Sequence, residues 1–385
     1  MNDTTKGTVF TGYFEINAEH GRIIGDSLYH SFIQFNIDAN ERATFTGPMH
    51  IKNIIIRVTG SEGSSIRGTI ISDIPQANIY LLNPADIIFE ENSRIDFTGA
   101  FYVSTADYLK TEDNTIFEVN SSEPILSTNA PKTFGFLNDN PGKIETYTDC
   151  SIQTGKSISF IGGEILIKAS LLSASEGRIS IVGIQYVEIS LNDSWFHYLE
   201  YTHRGKILIT DNSEIHVSGE ASGGIYIMGS EFIVNNSILE TSTEDSVNAG
   251  NIVIDADLVV ISSGSIVFSD ATYGGDAGNI HIKATQVNVI SSSSIESSVI
   301  DYFDTNDGNA GLIFIDAINV NFDSSSRIKN STMDAGNSGH IIINAEENIT
   351  LNNESYIVSI TQGSGDAGLI SLVAPVAPGG TSYSI

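Results

Sequence analysis

The most unusual text in the chain is WFHYLEYTHRG, residues 195–205, which gathers the single Trp with Tyr198, Tyr201, His197 and His203. Aromatic rings stack on sugar faces, and two nearby histidines are able to share a metal, but a loop lying over a sheet also needs aromatic cover. Trp195, Tyr198 and Tyr201 are therefore candidate glycan or receptor contacts, with structural cover as the competing explanation. GSGDAG at residues 363–368 satisfies a G-x-G-x-x-G pattern, yet a dinucleotide loop needs a following helix and LISLVA reads as a strand. Ser326 and Lys329 in SRIK match the spacing that lets an amine activate a hydroxyl on one helical turn; on a strand, alternation sends them to opposite faces. The loops FDTNDG and YGGDAG offer oxygen ligands without the spacing of a calcium loop, and SSSSIESS places its serines on turns and on a solvated face. The expectation is a chain with no catalytic residue, no metal site and no cofactor.

What must position these residues is a repeat. Gly250, Gly278, Gly311, Gly339 and Gly368 each open a stretch that alternates with period two, as in Ile252, Ile254 and Ala256 or Ile280, Ile282 and Ala284. Two further short strands complete each unit, the second built on pairs such as Val259 and Ile261, the third on SIVFS, SIESS, RIKNS and YIVSI. Strand triplets that recur without crossover helices bury their inward faces by coiling, so like aliphatics stack: Ile254, Ile282, Ile315 and Ile343 in one column, and Ile266, Ile295 and Ile328 in another. The fold class expected is all-β, a right-handed parallel β-helix with three strands per rung. Looser versions upstream, GKIETYT, GGEILIKA, GRISIVG, GKILITD and GGIYIMG, start the coil well before residue 248. An open end would recruit other chains, so an N-terminal β cap is expected in the first hundred residues.

Composition sets the class of partner. With 18 basic against 47 acidic residues the formal net charge is -29, which repels nucleic acid and anionic lipid surfaces. Cys150 is the only cysteine, so no intrachain disulfide forms. No apolar run is long enough to cross a bilayer as a helix, and the opening residues lack a basic start and apolar core, so an exported protein would have lost its signal peptide from this sequence.

Residues 28–109 differ in texture, with LYHSFIQFNIDANERATFTGP, NIIIRVTGSEGSSIRGTI and SDIPQANIYLLNPADIIFEENSRIDFTGAFYVSTADYL. This stretch resembles the N-terminal secretion domain of filamentous haemagglutinin-like exoproteins of two-partner secretion, and the repeats resemble that family's shaft. The resemblance implies a passenger of a Gram-negative bacterium that crosses the periplasm uncoiled. Its partner is an outer-membrane transporter barrel with periplasmic modules, and it coils outside the cell as an adhesin or haemagglutinin. The family's Asn-Pro-Asn-Gly-Ile motif falls on Asn83, Pro84, Ala85, Asp86 and Ile87, with Ala-Asp in place of the central Asn-Gly. Asn83, Pro84, Asp86 and Ile87 are thus candidate transporter contacts, and a tight turn explains them equally. An extended N-terminal segment adding to a transporter strand edge would present His30, Phe32 and Phe35 as anchors, with fold capping as the alternative.

The organisation expected is a secretion-like domain of cap and first rungs over 1–140, a repeat shaft over 141–374 and a Pro/Gly-rich tail over 375–385. The function expected is a secreted, non-catalytic surface adhesin fragment whose receptor or glycan is a host or bacterial surface component, without nucleic acid binding or membrane insertion. The competing readings are a β-helical polysaccharide lyase or glycosidase, which needs clustered carboxylates, and the stalk of a contact-dependent toxin. The register above yields no rung-to-rung stack of Asp or Glu.

Overall fold

The structure, a computed structural model, describes residues 11–185, 187–191, 204–220, 223–243, 246–272, 274–300, 308–333 and 335–375. It divides into two compact units, Met1–Leu208 with Met228–Ser230, and Ile209–Ile227 with Glu231–Ile385.

In the second unit the repeat becomes a parallel ladder. Ile254, Ile282, Ile315 and Ile343 are vertical neighbours, as the glycine spacing predicts. All four are essentially inaccessible to solvent, and burying such a side chain is worth roughly 2–3 kcal/mol before entropy is counted. Where the sequence separates three short strands, the first two run together: Ile252–Ser262 is one strand of 11 residues, followed by Ile266–Ala271. Inward positions step by two to Ala256 and then by three to Val259, so Asp257 and Leu258 both stay outside the core. That slip turns a corner without breaking the hydrogen-bonded run. The third-strand column needs a correction: Ile295 pairs with Val267 and Ile328, while Ile266 pairs with Ser294. A one-residue shift reverses faces, so Ile266 lies on the half-exposed side.

Two polar ladders hold this register. Inside, the Ser269 hydroxyl accepts from the Gly278 N–H at 2.8 Å and donates to the Gly250 carbonyl at 3.2 Å. Ser297 does the same between Gly311 and Gly278, and the Asn330 amide between Gly339 and Gly311. Outside, each turn's side-chain oxygen accepts the backbone N–H of its successor: Asn248 from Asp276, Asp276 from Asn309, Asn309 from Asn337, Asn337 from Asp366. Asn or Asp before the glycine is therefore a register device, since each side chain satisfies a donor in the following repeat.

The first unit coils from the start. Tyr13–Asn17 already lies parallel on Arg42–Thr46, and Ser27–Phe32 on Asn53–Val58, so the cap is shorter than the hundred residues expected. Arg22–Ile24 folds back antiparallel on Ser27–Phe32 and closes its open edge. Further parallel strands follow at Asn78–Leu82, Phe101–Ser104, Ser157–Gly162 and Arg178–Gly183. Phe101 stacks on Ile158 although 57 positions separate them, because the intervening chain leaves the coil and returns.

That excursion builds an element absent from the sequence reading, an antiparallel sheet of Tyr108–Thr111, Ile116–Glu118, Pro131–Gly135 and Glu188–Ser190. Its Leu109, Phe117, Phe134 and Ile189 pack on Tyr29, Ile55, Tyr80 and Leu82, which project from the outer face of the coil. Ser27–Phe32 and Asn53–Val58 are consequently buried along their whole length.

Candidate functional site

His30, Phe32 and Phe35 come together with Phe45 in the interior of the first unit. The His30 ring lies 5.5 Å from that of Phe45, and Phe32 and Phe35 are 5.0 Å apart. His30 is fully buried, with Phe32 and Phe35 nearly so. In the coiled state none of the three presents a face to a partner. Neither His30 ring nitrogen makes a hydrogen bond of good geometry among the described residues, the nearest acceptor being the His20 backbone. Burial pushes the imidazole down to about 4 from its ordinary 6.5; nearby His20 adds repulsion, and only the His20 carbonyl favours the charged form.

The fold thus holds neutral His30, whereas the unfolded chain takes up its proton below about pH 6.5. This contribution is complete above that value and is lost as the pH falls towards 4. Between pH 7.5 and 5.5 the first unit is expected to lose about 1.4 kcal/mol, and His30→Leu to flatten that slope. Urea midpoints of both proteins across this range are the check; parallel slopes would remove His30 as the cause.

Asn83, Pro84 and Asp86 lie in the turn between Asn78–Leu82 and Ile87–Phe89, and Ile87 opens the second of these strands. The Asn83 side chain is fully buried: its amide donates to the Glu62 carbonyl and to Ser64 Oγ, and its oxygen accepts from the Ala85 N–H. The Pro84 carbonyl accepts from Gly142, and Asp86 Oδ1 accepts from the Lys143 N–H at 2.7 Å. The turn therefore ties together three successive passes of the chain. Neither Ala85 nor Asp86 adopts positive φ, so Ala-Asp fits where a left-handed turn would have asked for Asn-Gly.

Two features escaped the sequence reading. Arg57, from NIIIRV, is buried and donates from Nε to Ser31 Oγ at 2.6 Å and from Nη1 to the carbonyls of Glu118, Val119 and Ser121 at 2.9–3.0 Å. Its guanidinium lies 5.3 Å from the Phe117 ring centroid. The signal in the sequence was apolar character on both faces of that strand, which marks burial from two sides. The second feature is an acidic group without a rung-to-rung stack: Glu240 and Glu296 occupy one column with Phe268 between them, and Asp270 lies two residues along from Phe268. Burial, then Glu296 and Glu240, raise Asp270 to about 7, against the opposing pull of Lys329 and a backbone hydrogen bond. Glu296 is bound by Arg327 at 2.8 Å and Glu240 by the Ser242 hydroxyl, so both carboxylates have structural partners.

Ser326 and Lys329 sit as expected for a strand: Ser326 is buried and its hydroxyl donates to the Asp323 carbonyl, while Lys329 lies in the outer column with Glu296. GSGDAG leads into the strand Ile370–Val373 and not into a helix. Trp195, Tyr198 and Tyr201, with His197 and His203, lie outside the described residues.

A coil of parallel strands, edge-closed at its start and overlaid by an antiparallel sheet, defines the class as a β-helical scaffold. Among solved structures, the crystal structure of the HMW1 secretion domain from Haemophilus influenzae has a similar fold, with a TM-score of 0.59 at 16% identity over 91% of this chain and 96% of that one. No curated protein matches the chain. Residues 14–195 match the family of the TPS secretion domain, a match consistent with a two-partner secretion exoprotein. A TPS secretion domain indicates a secreted protein exported through the outer membrane and implies interaction with a transporter there.

Proposed function

We propose that this exoprotein is a non-catalytic surface adhesin whose first unit is read by the transporter before it coils. Asn83, Pro84, Asp86, Ile87, His30, Phe32 and Phe35 are the recognition residues, acting in the extended chain. The receptor is a host or bacterial surface component. The observation that carries the reading is the secretion-domain match over residues 14–195, combined with the complete enclosure of His30, Phe32 and Phe35 once the strands have stacked. Side chains walled in after coiling reach a partner only earlier, when main-chain pairing to a transporter edge is also open to them. Slow formation of non-local parallel pairs leaves time for such a complex.

The test is co-expression with the cognate transporter in a heterologous host, following protein in the medium. Wild type is expected there only when the transporter is present. Phe32→Ser with Phe35→Ser is expected to cut export at least about tenfold if the extended segment is recognised, because each buried aromatic anchor is worth over 1 kcal/mol. A core-ladder variant of the second unit, Ile315→Ala, serves as the control that weakens folding without touching the segment. Export of the double Ser variant at the level of that control would refute recognition by these residues.

A further inference from the structure

One outer face of the second unit has unusual chemistry. Along the second half of the long strands, the outward positions align in register as Gln286, Asn319 and Asn348 in one column and Asn288, Asn321 and Thr350 in the next. Gln286, Asn348 and Thr350 are exposed or nearly so, and the other three are half-buried. None of the six carries charge, in a chain whose formal net charge is -29. They are held in place by one another: Gln286 donates to Asn288 at 3.1 Å, Asn348 to Asn319 at 3.0 Å and Thr350 to Asn321 at 2.6 Å. Asn319 also donates to Glu347 at 3.0 Å, on the rim.

Each primary amide has two N–H donors and an oxygen with two lone pairs, so these contacts leave donors and acceptors of both kinds pointing outward. The parallel ladder fixes them on a lattice of ~4.8 Å between rungs and ~7 Å along a strand. Side-chain entropy is already lost, so a ligand meeting them has less ordering to do. At the other side of the corner, His281 and Phe314 stack edge to face at 5.0 Å on the outward side of the same strands.

We propose that this face binds a neutral, hydroxyl-rich polysaccharide laid across the rungs, an assignment that rests on the adhesin reading and names its ligand class. Hydroxyl groups are donors and acceptors at once and match a fixed array of amides. The overall negative charge turns away polyanions such as nucleic acid and acidic polysaccharides, leaving uncharged sugars as the occupant that both observations favour.

The test is native affinity electrophoresis of the purified chain in gels containing galactomannan, hydroxyethyl cellulose or polygalacturonate. Retardation is expected in at least one neutral polymer and not in polygalacturonate. Asn319→Asp with Asn321→Asp is expected to weaken it at least about tenfold, because new charges replace donors at the centre of the array. Gln286→Glu at the margin is a milder second variant, and unchanged urea midpoints show that the coil survives. No retardation in either neutral polymer, or retardation untouched by the variants, overturns the proposal. Adhesion of the wild type to cells separates it from the broader reading. Adhesion that persists after periodate treatment of the cells and is lost after protease identifies a protein partner and overturns the sugar assignment alone. Absence of adhesion to any cell type tested removes the adhesin reading, while polymer retardation would still sustain the face.

Discussion

Gly278→Ala is expected to destabilise the second unit by about 3–5 kcal/mol, out of proportion to the addition of one methyl group. A Cβ at Gly278 would lie 1.9 Å from the Gly250 carbonyl oxygen and 2.8 Å from the Ser269 hydroxyl. The first neighbour is backbone in the ladder and cannot swing away. Relief requires the rungs to separate, and separation breaks the two hydrogen bonds through which Ser269 joins Gly278 to Gly250. Gly311, Gly339 and Gly368 face the carbonyl of the preceding repeat's glycine in the same way, at 1.9–2.1 Å. The repeated glycine therefore marks a position where backbone packs on backbone, not one of unusual φ. Gly264 is the contrast, with φ of +75° and nothing within 4 Å of the place a Cβ would take. Gly264→Asn is expected to cost roughly 1 kcal/mol or less, since Asn tolerates the left-handed region. Urea denaturation of both variants decides the matter: Gly278→Ala within about 1 kcal/mol of wild type would show that the glycine column is not a steric requirement.

The same contrast explains which parts of the fold were legible. Glycine spacing and period-two alternation are local, and they placed Ile254, Ile282, Ile315 and Ile343 in a column that the pairing reproduces. The third-strand column slipped by one at Ile266, because Ser-Ile in SIVFS and SIESS look alike while hydrogen bonds from the glycine N–H groups to Ser269 and Ser297 set the true register. The covering sheet was illegible for another reason. Its strands come from residues 108–135 and 188–190, and nothing local couples Phe134 to Ile189. The Asn-Pro turn was visible as a turn, but the bonds that make Asn83 a tie between passes of the chain run to Glu62 and Ser64. Asp270 was passed over because its raised proton affinity arises from burial and then from Glu296 and Glu240, one repeat away on either side, none of which is local in sequence.

Arg57→Met is expected to cost the first unit about 4 kcal/mol and to release the covering sheet while leaving the coil beneath it intact. Met keeps most of the apolar stem and removes the guanidinium. Three carbonyls, of Glu118, Val119 and Ser121, then lose a charged donor that each meets at 2.9–3.0 Å, and Ser31 loses a bond of 2.6 Å. Arg57→Lys is expected to recover little, because one ammonium on a flexible stem does not span the positions a planar fork reaches. The loss should be local. Hydrogen exchange ought to rise across Tyr108–Thr111, Ile116–Glu118 and Pro131–Gly135, while Ser157–Gly162 and Arg178–Gly183 stay protected. Uniform protection in Arg57→Met would show that apolar contacts alone seat the sheet. The variant also separates folding from export. All four bonds belong to the coiled state, so a transporter that handles the extended chain should release Arg57→Met into the medium at the wild-type level, in a form that proteases cut within residues 112–130. If export instead falls in step with stability, the coiled first unit is what the transporter reads, and recognition moves from the buried strand to the surface of the covering sheet.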